Sequence, residues 1–415
     1  MQTSLTAELL KTASGQRAND ILRKCVHCGF CTATCPTYQL LGDELDGPRG
    51  RIYQIKQMLE GQQADQEMQL HLDRCLSCRS CETTCPSGVD YAELADIGRH
   101  YIEQKNLRPL AQRLVRKLLG YVLPRKNLNQ LVFRIGSRLR PLLPASIQQK
   151  TPVIRAPRNY HQPATEAQKT VLLLEGCVQS TLSPNTNNAA AVVLQTLGYR
   201  VIRQQPVSCC GAVNHHLSQP EQTAHWVTRN LQEWSAIHQT TALDAIVSTA
   251  TGCGAMLKDY PTILRQLPQQ AQDQRFQQLL PLIRDISELF SAEILRQKCT
   301  GYSASQQAVA YHAPCTLTHA HRLSNQLYQQ LQSLGYQLHT PQNAHLCCGS
   351  AGTYSLLQPE ISRQLRSNKL DALNAAAPEL IITANVGCEH HLNSASPTPV
   401  IHWIELIAND LEHCA

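Results

Sequence analysis

The chain has 415 residues, 42% hydrophobic and 16% charged, so it can bury more than one core and is expected to divide into two or three domains. No run of about eighteen consecutive apolar residues occurs, which excludes a membrane-spanning helix, and the opening Met1-Gln-Thr-Ser-Leu-Thr-Ala-Glu lacks the basic-then-apolar pattern of an export signal. The net charge of +6 is too small to imply nucleic acid, whereas eighteen cysteines in a chain expected to stay inside the cell predict metal binding rather than disulfides.

Residues 1–104 carry the densest signal. Cys25-Val-His-Cys28-Gly-Phe-Cys31-Thr-Ala-Thr-Cys35-Pro36 recurs fifty residues later as Cys75-Leu-Ser-Cys78-Arg-Ser-Cys81-Glu-Thr-Thr-Cys85-Pro86. Both read C-x2-C-x2-C-x3-C-P, the bacterial ferredoxin ligand run, in which three thiolates wrap one iron–sulfur cube and the fourth crosses to the other. The expected sets are therefore Cys25, Cys28, Cys31 and Cys85 for one [4Fe–4S] cluster, and Cys75, Cys78, Cys81 and Cys35 for the second. Zinc ribbons space two C-x2-C pairs far apart, so the packing of four cysteines before a proline favours iron–sulfur. Between the runs, 46–51 reads as a turn and 52–60 as a helix. His27 is expected as a solvated loop side chain. Arg49 and Arg51 read equally as a charged turn or as contacts to a partner or a cluster.

Residues 105–165 form a basic connector. From 104 to 165 there is no Asp or Glu but thirteen Lys or Arg, leaving the rest of the chain at −7. Leu110, Leu114, Leu118 and Leu119, then Leu128, Leu131, Val132 and Ile135, recur at helical spacing between breaks at Pro124 and Pro141, predicting basic amphipathic helices. Such helices suit an anionic membrane face or an acidic partner; the plainer alternative is a connector whose apolar stripe packs on the next domain. Few aromatics and no recognised motif argue against nucleic acid.

Residues 166–300 and 301–415 repeat one another. Cys177 pairs with Cys315 and Cys209-Cys210-Gly211 with Cys347-Cys348-Gly349, both at an offset of 138, while Ala250-Thr-Gly-Cys253 pairs with Asn385-Val-Gly-Cys388. A duplicated α/β domain is the economical explanation. Aliphatic runs at 171–174, 245–247 and 380–383 read as buried parallel strands, and helix-period segments fall at 187–197, 223–237, 325–334 and 361–375. The cysteines follow the strands, at the carboxyl edge where such sheets hold ligands. Candidate third and fourth sites are thus Cys177, Cys209, Cys210 and Cys253, and Cys315, Cys347, Cys348 and Cys388. Cys299 and Cys414 belong to no constellation and are expected to be structural.

The repeat resembles the CCG cysteine-rich domain of heterodisulfide reductases and of several 2-hydroxyacid and glycerol-phosphate dehydrogenase subunits. It departs from that pattern at the last cysteine, where Met256 and His391 stand. A five-thiolate cluster is therefore not expected, and four thiolates suit an ordinary [4Fe–4S] cluster or Zn²⁺. The fold class expected is α+β with α/β: a helical two-cluster ferredoxin-like domain followed by the duplicated α/β domain.

No G-x-G-x-x-G after a strand, P-loop or nucleophile elbow is present, so the chain has electron relays without a site for flavin or nicotinamide. In its order of modules, and in the segments Cys25–Arg51 and Cys81–Gly88, the chain resembles the iron–sulfur subunits of glycolate oxidases (glycolate dehydrogenases). The resemblance implies an electron-transfer subunit working with a flavin-containing catalytic subunit and a second flavin-domain subunit. That complex oxidises glycolate, and often D-lactate, and sends electrons through two clusters to a quinone or other membrane acceptor. FAD would sit only on the partners, and the complex would lie peripherally on the cytoplasmic face of the membrane. Other readings share the modules: the iron–sulfur subunit of a glycerol-3-phosphate or lactate dehydrogenase, or a heterodisulfide-reductase-type subunit.

Overall fold

The structure, a computed structural model, describes residues 1–142, 154–161, 163 and 166–412. They divide into two compact units: 1–118 with 216–218 and 345–369, and the remainder from 119 onward. Within the expected connector, 143–153 (with Lys150), 162, 164 and 165 lie outside the described residues, as does Cys414.

The first unit is helical. Helix Ala13–Lys24 starts where the Thr12 hydroxyl accepts from the Gly15 N–H (3.0 Å), and it turns Ala18, Ile21 and Leu22 inward. Helix Pro48–Leu59 begins four residues before the expected helix, because Pro48 occupies the first helical position, where its missing N–H costs nothing. Most of the supposed turn 46–51 is therefore helix. Helix Gln66–Asp73 is capped by Asp65, and helix Tyr91–Glu103 crosses Pro48–Leu59 so closely that a Cβ on Gly98 would lie 2.6 Å from Ile55 Cγ1. Ile21, Leu22, Ile55, Met58, Leu59, Leu94 and Ile102 fill the shared core. Each cysteine run makes the same loop: His27 and Ser77 are left-handed at φ 55° and 53°, Gly29 and Arg79 at 85° and 62°, and a short helical turn follows (Phe30–Thr34, Ser80–Thr84). The two turns meet at the Thr34 and Thr84 hydroxyls, 3.1 Å apart.

The connector forms helices Leu110–Val122 and Lys126–Leu139, separated at Pro124, with the turn Arg140–Leu142 at the second proline. Gly120 and Asn129 are their only buried residues, and Leu110, Leu114, Leu118, Leu131, Val132 and Ile135 stand exposed. The division between the units falls within the first of these helices.

The second unit holds two four-stranded parallel sheets. Strands β1 (Lys169–Leu174), β2 (Tyr199–Arg203), β3 (Ala245–Ser248) and β4 (Ile283–Asp285) order as β2-β1-β3-β4. Strands β5 (Val309–Tyr311), β6 (Leu338–His339), β7 (Leu380–Thr383) and β8 (Val400–His402) repeat that order as β6-β5-β7-β8. Along β1, Val171 and Leu173 enter one core and Leu172 and Leu174 the other, so the strand is apolar throughout because both faces are covered. The first of these cores continues through Val309, Tyr311, Ile382 and Trp403, so the two copies share it. Helices Pro184–Thr196, Pro220–Thr240, Ser324–Ser333 and Pro359–Asn374 each start one to three residues earlier than their periodicity suggests, three of them on a proline.

Candidate metal centres

Cys25 closes helix Ala13–Lys24, and the loop after it folds Cys28 and Cys31 back, with Cys85, around a pocket of about 430 Å³. His27 and Arg49 also line it, so His27 is half-buried instead of solvated. Gly29 takes the left-handed φ of 85° at no steric cost and leaves room for the Arg49 guanidinium, which would lie 2.8 Å from a Cβ there. Burial pushes the Cys31 thiol up to about 11, helped by the charges of Cys25, Cys85 and Cys28. Burial likewise raises Cys25, with the Cys85 and Cys28 charges adding to it against a hydrogen bond from the His27 backbone.

The second group is more enclosed. Burial drives the Cys81 thiol far up, and Cys78, Cys75, Glu82 and Cys35 push in the same direction. Cys35 Sγ lies 3.3 Å from the Thr37 hydroxyl. Cys75 differs: burial raises its thiol, yet the guanidiniums of Arg51 and Arg99, the Ser77 N–H (3.5 Å) and the Tyr91 hydroxyl (3.6 Å) together hold it below its ordinary value. Each fourth cysteine of a run thus stands with the other run's first three.

Two groups of four thiols that repel one another as thiolates, each wrapped by a loop with two left-handed residues, suit a compact, positively charged, thiophilic core. Arg79 and Ser77 lack glycine's freedom, so their left-handed backbone is held by the loop's surroundings. The residues fit two [4Fe–4S] clusters.

In the second unit, Cys209, Cys210 and Cys253 line a pocket of about 340 Å³ at the carboxyl ends of β1 and β3. Hydrogen bonds to Cys177 and Cys210, then burial, push Cys209 far up, while a hydrogen bond to Cys210, then burial, does the same for Cys253. The four first-copy thiols are therefore one connected group. Five buried polar atoms without a hydrogen-bond partner belong to residues lining this pocket: Gln179 Oε1, Gln204 Nε2, Ser208 Oγ, Asn230 Oδ1 and Trp234 Nε1. Orphaned atoms gathered at one cavity fit a bound group with its own polar surface. Met256, at the position of the missing cysteine, is buried in the apolar core and touches the Gly211 position.

The second copy keeps the local geometry. The Gly349 N–H donates to Cys347 Sγ at 3.4 Å, as Gly211 does to Cys209 at 3.3 Å. Asn385 Nδ2 donates to Cys388 Sγ at 3.5 Å. Cys347 and Cys348 belong to the first unit, and Cys315 and Cys388 to the second. Within the first unit the buried Tyr354 hydroxyl donates to the Arg74 carbonyl (3.1 Å). Burial raises its pKa, Arg51 opposes that, and the charges of Cys75 and Cys347 add to it. Tyr354 and Arg99 were not distinguishable from ordinary core residues in the sequence. Cys299 ends helix Ala292–Lys298.

A 4Fe-4S dicluster domain model matches residues 21–89, and a cysteine-rich domain model matches 171–258 and 309–393. Over 412 residues the chain is 48% identical to the glycolate oxidase iron-sulfur subunit of Escherichia coli, covering 99% of this chain and 100% of that one. The chain belongs to the glycolate oxidase iron–sulfur subunit family. A further family relative, the "Probable glycolate oxidase iron-sulfur subunit" of Bacillus subtilis, is 29% identical over 88% of this chain and 87% of its own length. Lactate utilization protein A of Geobacillus thermodenitrificans is 26% identical over 57% of this chain and 98% of its own. The glycolate oxidase family assignment makes the chain one subunit of an oxidoreductase complex that contains iron–sulfur clusters. Among the described residues no helix is long and apolar enough to cross a membrane.

Proposed function

We propose that this chain accepts electrons from a flavin-bearing catalytic subunit and delivers them, through two [4Fe–4S] clusters, to a quinone or another acceptor at the membrane. The observation that carries this is the gathering of eight thiols into two groups of four within one helical unit. Cys25, Cys28, Cys31 and Cys85 hold one cluster, and Cys75, Cys78, Cys81 and Cys35 the other. When bound, such clusters supply one-electron carriage and no hydride chemistry. Oxidation of glycolate, or of D-lactate, to the 2-oxo acid then falls to the partner, which carries FAD together with a second flavin-domain subunit. Residues 1–104 serve as the two-cluster domain, 105–165 as a connector, and 166–300 and 301–415 as paired cysteine-rich domains with third and fourth iron–sulfur or zinc sites. The orphaned polar atoms around Cys209, Cys210 and Cys253 support occupancy of the first of these.

The exposed leucines of Leu110–Val122, interleaved with Arg113 and Lys117, support peripheral docking on the anionic cytoplasmic face of a membrane, as do Leu131, Val132 and Ile135 beside Arg134 and Arg138. Adding glycolate anaerobically to the co-expressed complex should bleach the broad visible absorbance of the iron–sulfur centres, and D-lactate should do so if the substrate range is that wide. The isolated chain should stay unbleached; bleaching of the isolated chain by glycolate would overturn the division of labour.

A further inference from the structure

The two thiol groups sit in different electrostatic surroundings. Beside the Cys75 group, Arg51 is buried, donating through Nε to the His71 carbonyl (2.7 Å) and through both terminal nitrogens to the Thr37 hydroxyl (3.2 and 3.1 Å). Arg99 is buried as well, donating to the Leu72 carbonyl (3.2 and 3.0 Å), the Cys75 carbonyl (2.6 Å) and the Ser77 hydroxyl (2.7 Å). These bonds lock Arg99 against the loop that carries Cys75 and hold Arg51 between helix Gln66–Asp73 and Thr37, two residues after Cys35. Nearby carboxylates offset them in part. Asp46 is shared among Arg51 (3.4 Å), Arg74 (2.8 Å) and His71 (3.0 Å), Asp96 reaches Arg99 only at 3.9 Å, and Glu82 is half-exposed. Beside the Cys25 group, Arg49 is paired with Glu44 at 2.6 Å with 37% of its side chain exposed, and a second cation, the part-buried Met1 amine, donates to the Cys25 carbonyl (2.6 Å) and the Arg23 carbonyl (3.2 Å), so this group faces one ammonium where the other faces two buried guanidiniums.

Reducing a cluster adds one negative charge. A buried, immobile cation stabilises that charge far more than a screened surface cation does, and hydrogen bonds to a ligand sulfur act in the same direction. Each loop gives its first cysteine one backbone N–H, from Ser77 to Cys75 and from His27 to Cys25, and Cys75 Sγ accepts a further bond from the Tyr91 hydroxyl. We infer that Arg51 and Arg99 set the order of the two centres, making the cluster held by Cys75, Cys78, Cys81 and Cys35 the one of higher potential, where the electron resides after transfer. Both arginines are positioning residues that act through the ligand loop. The inference rests on the two-cluster reading above.

The test is a reductive titration of the anaerobic complex followed by electron paramagnetic resonance. Two one-electron waves are expected from the eight N-terminal cysteines, besides any from the cysteine-rich domains, and Cys78→Ser should remove or displace the higher of the two. Arg99→Gln should lower that same wave by about tenfold in the reduced-to-oxidised ratio at fixed potential, about 59 mV for one electron, and leave the other wave in place; Arg99→Lys should restore most of the difference. Arg51→Gln should act alike; if it does not fold, Arg99→Gln and the Cys78→Ser assignment still decide. The inference is overturned if Cys78→Ser affects the lower wave, or if Arg99→Gln shifts both waves equally or neither. Fewer than two iron–sulfur signals in the unsubstituted complex would instead overturn the two-cluster reading itself.

Discussion

Cys75 and Cys81 are six positions apart in one run and are both buried, yet their thiols shift in opposite directions. The difference is in the neighbours: Cys75 faces two guanidiniums, whereas Cys81 faces other thiols and Glu82. Cys35 reaches this group from the other run, so Cys35→Ser should impair the centre held by Cys75, Cys78 and Cys81 and leave that of Cys25, Cys28 and Cys31 intact, as read by the two resonance signals. Loss confined to the Cys25 centre would contradict the crossed arrangement. The eight thiols were legible because ligand spacing is a local property of the chain. Arg99, Tyr91 and Tyr354 were not, since each acquires its role only when helices distant in sequence bury it beside a ligand loop, whereas Arg51 read equally as a charged turn or as a contact to a partner or a cluster, and its burial beside Cys75 and Cys35 favours the cluster. His27 was misjudged for the same reason: its exposure depends on Arg49 and the Met1 side chain, whose Sδ lies 3.0 Å from His27 Nε2.

At the scale of elements, periodicity located the helices of the repeated domain but not their first turns, which begin on Pro184, Pro220 and Pro359. An apolar pattern cannot report a proline that starts a helix without adding to its apolar face. Strands β4, β5, β6 and β8 have only two or three residues each, too few to stand out as runs, and the five of β2 are broken up by Arg200 and Arg203. Gly98 marks where the two central helices of the first unit approach most closely. Gly98→Ala would gain about 1 kcal/mol of helix propensity, but the clash with Ile55 should cost about 1–3 kcal/mol and leave a net loss. Thermal unfolding would measure it, and adding Ile55→Val should recover part of the loss. In the connector, Arg116 is committed to Asp73 at 3.0 Å and Arg108 to Asp73 and Glu103, so the free basic face is smaller than the charge count suggests. Replacing Arg113 and Lys117 with Gln should weaken flotation with anionic vesicles, while neutral vesicles should show no change. Unchanged flotation would make the stripe a packing surface.

At the scale of the whole molecule, duplication shows in both sequence and topology: the offset of 138 residues recurs as two sheets with the same strand order. Their common core means that each copy buries one of its apolar faces together with the other, so disruption of one should lower the stability of both. Trp403→Ala, at the centre of that core, should destabilise the second unit by about 3–5 kcal/mol, seen as one cooperative transition moved to lower temperature. The central claim is that the N-terminal thiols hold two iron–sulfur clusters. It is tested most directly by counting iron and acid-labile sulfide in protein purified without oxygen, alongside a variant with all eight N-terminal ligands changed to Ser. The difference between the two proteins should be about eight iron and eight sulfide per chain. A folded, partner-competent protein in which that difference is zero, or in which zinc replaces the iron, would contradict it.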